Sequence, residues 1–136
     1  MEAPSNYKTA GIMMLIAGIL NILAAIGLGV FLFVYISMIA IATMGIGILC
    51  YACCLWPILP LGFGIFELIT GMSVMNGKPV RNASTVAIAG IVMGALNLPL
   101  GIGVVPMVME IIATVMLNDE EVKAWIEESS ADLLEV

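Results

Sequence analysis

Two long apolar stretches dominate the chain, and the polar residues collect at their ends. No charged residue falls between Lys8 and Glu67, or between Arg81 and Glu110. An apolar run of about 18 residues or more is long enough to cross a bilayer. The pattern therefore predicts membrane-spanning helices rather than the core of a soluble domain. The first stretch, Thr9 to Met75, has room for two long helices or three short ones; the second, Asn82 to Leu117, has room for two. The basic residues arbitrate, because Lys and Arg near span ends gather on the cytoplasmic side. With two spans in the first stretch, Lys8, the Lys78–Arg81 loop and Lys123 all face one side; with three, Lys8 stands opposite the loop. The expectation is an all-α bundle of four transmembrane helices with both termini cytoplasmic.

Helix one is expected from about Thr9 into the region 31–39, and helix two from about Ile48 to Met75, with a bend at Pro57 and Pro60. Their join is placed near Thr43-Met44-Gly45-Ile46-Gly47. The region 31–54 is open to a re-entrant piece or to helix ends that project beyond the bilayer. The run Asn76-Gly77-Lys78-Pro79-Val80-Arg81-Asn82 reads as a polar turn, with Asn82 as N-cap of helix three. Pro99-Leu100-Gly101-Ile102-Gly103 turns into helix four, with Pro106 in its first turn. Helices three and four come out at roughly 17–19 residues, near the lower limit for a span. Residues 1–117 thus form the membrane domain and 118–136 a cytoplasmic tail.

Composition agrees with the membrane class: 62% of the 136 residues are hydrophobic and 10% charged, and the mean hydropathy is +1.19. The net charge of -6 belongs to the tail, since seven of the ten acids lie from Asp119 onward. With a single lysine before it, the first segment is expected to be a retained helix and not a cleaved leader. The chain has no histidine, so the commonest metal ligand and the commonest general base are both missing.

The two halves share a pattern. Gly18-Ile19-Leu20-Asn21 in helix one parallels Gly94-Ala95-Leu96-Asn97 in helix three, and Glu67 with Thr70 in helix two parallels Glu110 with Thr114 in helix four. Both halves start on the cytoplasmic side, which describes two hairpins related by an axis along the membrane normal; chance similarity between apolar segments is the alternative. On helix three, Ala83, Ala87, Gly90, Gly94, Asn97 and Gly101 fall on one face at helical spacing. Small residues let helices approach in lipid, so this face packs within one copy or between copies. Helix one shows the same tendency at Ala10, Gly11, Ala17, Gly18, Ala24 and Ala25.

Glu67 and Glu110 are the two charges inside the apolar segments. Each is expected about 12–14 Å from its cytoplasmic helix end, at similar depth. An ionisable group there costs at least roughly 2.5 kcal/mol, and no cation is near enough to pair. At least one carboxyl group is therefore expected to keep its proton. Thr70 and Thr114, one turn on, are within local reach, and Gly64 and Gly71 leave room beside Glu67. Asn21 and Asn97 lie deeper and suit a second polar layer. These six polar residues read either as a proton- or cation-handling site or as a clamp that fixes the bundle.

Cys50, Cys53 and Cys54 lie towards the outer end of helix two and read as buried small hydrophobes, with an outer-face disulfide or lipid-contacting thiols as the alternative. Trp56 next to Pro57 marks an outer interface or a bend. The tail opens Asn118-Asp119-Glu120-Glu121, an N-cap with a glutamate three residues on. Val122, Trp125, Ile126, Ser129 and Leu133 then share a face, against Glu120, Glu127, Glu128 and Asp132. This amphipathic helix is expected to dock under the bundle with Trp125 inward, or to bind a basic cytoplasmic partner.

From Glu67 through Gly77-Lys78-Pro79-Val80-Arg81-Asn82 to Asn118-Asp119-Glu120-Glu121-Val122-Lys123-Ala124-Trp125, the chain resembles small, uncharacterised bacterial four-helix membrane proteins. The resemblance implies a multi-pass protein of the bacterial inner (plasma) membrane, and it carries over no activity. The carboxylate-bearing helices also resemble rotary proteolipids, but the polar loop lacks their pattern and the acidic tail is foreign to them. No nucleophile–base pair or metal set is visible. The expectation is a non-enzymatic structural, accessory or self-assembling membrane subunit, without cofactor or nucleic acid, whose partners are lipid and other copies or subunits. An oligomeric proton- or cation-conducting protein is the alternative.

Overall fold

A computed structural model describes residues 2–43 and 46–132. Every regular element among them is helical: α1 (Ser5–Ala42), a 3-10 helix (Ile46–Leu55), α2 (Ile58–Met75), α3 (Ala83–Leu96), a short 3-10 turn (Leu98–Leu100), α4 (Val104–Leu117) and α5 (Glu120–Asp132). α1 packs against α2 and α4, and α3 packs against α4 and α2. The four helices thus close a ring of contacts in which α2 and α4 stand diagonally opposite.

Two helices are long and apolar enough to cross a membrane, α1 and the segment Cys53–Met75 that contains α2. α3 and α4 have 14 residues each, about 21 Å, where a span calls for roughly 20 residues. They are shorter than their apolar runs because the turn chemistry intrudes. Asn97 ends α3, and Gly101, at φ 74°, takes a left-handed conformation that other residues resist. The 3-10 turn at Leu98–Leu100 carries the chain on from α3. Asn82 stands at the N-cap position of α3 without a side-chain capping bond.

Helix one is longer than expected and helix two shorter. α1 runs for 38 residues, about 57 Å, nearly twice the apolar thickness of a bilayer. α2 begins only at Ile58, after Pro57. Proline has no N–H to donate and suits a helix start, and the ten residues Ile46–Leu55 ahead of Trp56 coil as a 3-10 helix. The expected join between helices one and two falls here; Met44 and Gly45 lie outside the described residues. The cysteines are not buried: Cys50 and Cys53 are exposed, Cys54 half-buried, and all three are free thiols. They sit on the 3-10 helix, which packs mainly on α1.

The tightest packing joins α1 to α2 through glycine. A Cβ on Gly18 would stand 2.9 Å from the Gly64 carbonyl oxygen, and one on Gly64 3.0 Å from that of Gly18. Gly11 and Gly71 oppose each other in the same way, at 2.9 and 3.0 Å. The seven-residue spacing on both helices brings these pairs to one seam. The room beside Glu67 that Gly64 and Gly71 were expected to leave is therefore filled by the α1 backbone.

At the end of the bundle carrying the polar loops, Tyr7 is fully buried. Its hydroxyl donates to the Lys78 carbonyl at 2.7 Å and accepts from the Val80 N–H at 2.9 Å. Trp125 lies against its ring, centroids 4.8 Å apart. With Val122, these side chains dock α5 onto the bundle. Asp119, not Asn118, caps α5: its carboxylate accepts from the Glu121 N–H at 3.1 Å. The Asn118 amide donates instead to the Thr114 carbonyl and the Ser84 hydroxyl. Ser129 is half-buried, and Leu133 lies outside the described residues.

Candidate functional site

The bundle closes on a polar centre to which each helix contributes one residue. α1 supplies Asn21, α2 Glu67, α3 Gly90 and α4 Glu110. Both glutamates are fully buried and Asn21 is 3% exposed. The Asn21 amide donates to Glu67 Oε2 at 2.8 Å. Asn21 therefore bonds the carboxyl group directly and does not belong to a separate layer.

Glu67 and Glu110 reach towards each other across the diagonal. Two ionised carboxylates offer only acceptors, so a hydrogen bond between them requires a proton on one of them. Glu67 Oε1 and both Glu110 oxygens are buried without a donor among the described residues.

The Glu110 side chain lies where a larger residue on α3 would stand. A Cβ on Gly90 would fall 2.6 Å from Glu110 Cγ and 2.7 Å from Cδ. The small-residue face thus has a specific use here, as the cradle of a carboxyl side chain. Its other members are Ala83, Ala87 and Gly94, all buried, with Gly94 against Met107 of α4. Gly101 does not belong to that face. It is exposed with open space around it, and its backbone angle assigns it to the turn.

The remaining expected residues stay outside the centre. Thr70 is buried, but its hydroxyl donates to the Phe66 carbonyl at 3.0 Å, one turn back on its own helix, and not to Glu67. Thr114 Oγ1 is buried without a partner among the described residues. Asn97 is buried, and its amide donates to the Met93 carbonyl at 2.9 Å, completing the end of α3. The two halves therefore differ where their sequences match: one asparagine meets a glutamate and the other caps a helix.

Two roles are not marked in the sequence, one in the centre and one at the polar-loop end. Gly90 falls on the small-residue face, with nothing local to indicate the carboxyl group it would face. Tyr7 had a readable signal: a hydroxyl-bearing aromatic at the start of an apolar helix, near the level of a polar loop. Among the described residues, no group of three or more acidic, cysteine or histidine side chains could hold a metal ion. The chain finds no match among family models, among curated proteins or among solved structures.

Proposed function

We propose that this chain is a small integral membrane protein that serves as a structural subunit, self-assembling or accessory to a larger membrane complex. Its four bundle helices enter the bilayer, with both termini and the Lys78–Arg81 loop on the cytoplasmic face. The uncharged stretches and the height of the bundle support this reading. α2 is 18 residues long, about 27 Å, close to the roughly 30 Å apolar core of a bilayer. The exposed acids of α5, Glu120, Glu121, Glu127 and Glu128, suit a basic cytoplasmic partner.

The observation that carries the reading is the complete enclosure of Glu67 and Glu110. A group that passes ions must be reached from water on each side in turn, whereas a clamp needs only its partners. Here the neighbours come from all four helices, so the pair fixes how the hairpins meet. The orphaned carboxyl oxygens favour one second reading, an oligomer that carries protons or a monovalent cation.

Glutamine separates the two, because a neutral carboxyl group and an amide both donate and accept. Glu67→Gln and Glu110→Gln should keep the bundle's mass and thermal stability in mild detergent. Glu67→Leu leaves the buried Asn21 amide without an acceptor and should cost about 1–3 kcal/mol. Proteoliposomes should hold a pH gradient as well as empty vesicles. Dissipation that disappears in both glutamine variants sinks the structural reading.

A further inference from the structure

The bundle stops well before α1 does. Gly29 of α1 lies beside Pro57, where α2 begins: a Cβ there would be 3.8 Å from the proline ring. Beyond it α1 continues from Val30 to Ala42, which adds about 20 Å. The 3-10 helix is the element that accompanies it, joined by the Ser37 and Tyr51 hydroxyls at 2.9 Å and by Phe33 against Tyr51. In the membrane reading proposed above, on which this inference rests, that projection stands outside the bilayer. Lipid tails cover apolar side chains inside the bilayer, not in water.

The projection is nevertheless apolar. Phe31, Val34, Met38 and Ile41 follow at steps of three, four and three residues, the spacing of a coiled-coil seam. They are 63%, 52%, 65% and 81% exposed. Tyr35 stacks flat on Phe31, at 8° between ring planes, and widens the strip. With the exposed residues of the same stripe down to Leu23, the face presents on the order of 800 Å² per copy, the size that a stable interface takes from each partner.

We propose that this face pairs with the same face of a second copy of the chain. Three observations choose that occupant. The strip carries no charge, since none occurs between Lys8 and Glu67, so it gives a charged partner nothing to select. Its seam spacing is complementary to itself when two identical helices lie parallel. Insertion in one membrane sets two copies parallel and at equal height, so like residues meet. The small-residue faces are not available for this purpose, because Gly11, Gly18, Gly90 and Gly94 are consumed within one copy.

The test uses the full chain with its three cysteines replaced, since Cys50 and Cys53 are exposed on the same projection. Val34→Cys and Met38→Cys should form disulfide-linked dimers on oxidation in native membranes, while Ile39→Cys, turned away from the seam, should not. In mild detergent the parent should have the mass of two chains. Val34→Glu or Met38→Glu, which places like charges together, should raise the dissociation constant at least about 100-fold with helix content unchanged. Equal cross-linking at Ile39, a dimer indifferent to both glutamates, or a different protein seated on the strip overturns the proposal. A chain in the membrane fraction that is monomeric, with lipid alone on the strip, overturns the seam but not the membrane reading. A chain absent from that fraction overturns both.

Discussion

Single polar atoms in this protein have outsized effects because almost nothing around them can replace a lost partner. Tyr7 shows the case outside the glutamate centre. Its hydroxyl is the bridge between the Lys78 carbonyl and the Val80 N–H, two groups of the turn between α2 and α3. Removing it with Tyr7→Phe keeps the ring against Trp125 but orphans the Val80 N–H, at a cost of about 1–3 kcal/mol. Thermal unfolding in detergent should show that loss. Unchanged stability would mean that water or another group takes the hydroxyl's place. Asn21 belongs to the same class, since Glu67 depends on its amide.

At the scale of whole helices, glycine decides how closely backbones approach, and its effects have opposite signs at different positions. Glycine in a helix interior costs about 0.5–1 kcal/mol relative to alanine. Gly62 of α2 has nothing within 4 Å of a Cβ position, so Gly62→Ala should stabilise α2 by up to that amount. Gly90→Ala gains the same intrinsic preference but drives a methyl group into Glu110 Cγ and Cδ. The displaced side chain is held in a closed bundle, and the net change should be destabilising by about 1–3 kcal/mol. Melting temperatures that move in opposite directions are the expected result; a shared direction rejects Gly90 as the carboxyl cradle. The spacing of Gly90 and Gly94 marked a close-packed face in the sequence. Which helix would press on it, and with a carboxyl side chain, depended on a contact with a residue twenty positions away.

Across the whole molecule, the two ends of the bundle are built differently. At one end Tyr7, Trp125, Asn118 and the Asn76–Asn82 turn tie four helices together through side chains and capped termini. At the other end α1 runs on with the 3-10 helix as its main companion. All four basic residues collect at or near the tied end, the arrangement expected when that end is cytoplasmic. Single cysteines at Asn6, Lys78 and Ser130, in a background without the native thiols, should all react with an impermeant reagent from the same side of the membrane. Labelling of Asn6→Cys from the side opposite Lys78→Cys rejects the four-helix topology.

The helical class and the polar breaks near Asn76–Asn82 and Pro99–Gly103 were legible in the chain alone, as was the burial of Glu67 and Glu110. These follow from local terms that need no partner: the partition of apolar runs, the dihedral limits of proline and glycine, and the cost of charge in an apolar medium. Other features took their form only in the tertiary structure. Asn21 bonds a glutamate while Asn97, in a matching sequence, bonds its own helix. Thr70 turns back to Phe66. The cysteines are left uncovered because α2 starts ten residues later than the apolar run suggested. Each of these depends on which side chain arrives from another helix, and apolar sequences specify that weakly. Leu, Ile and Val are interchangeable to water and lipid, so the choice of neighbours falls to shape: two pairs of opposed glycines, one carboxyl group that fits against Gly90, and a tyrosine beneath a turn.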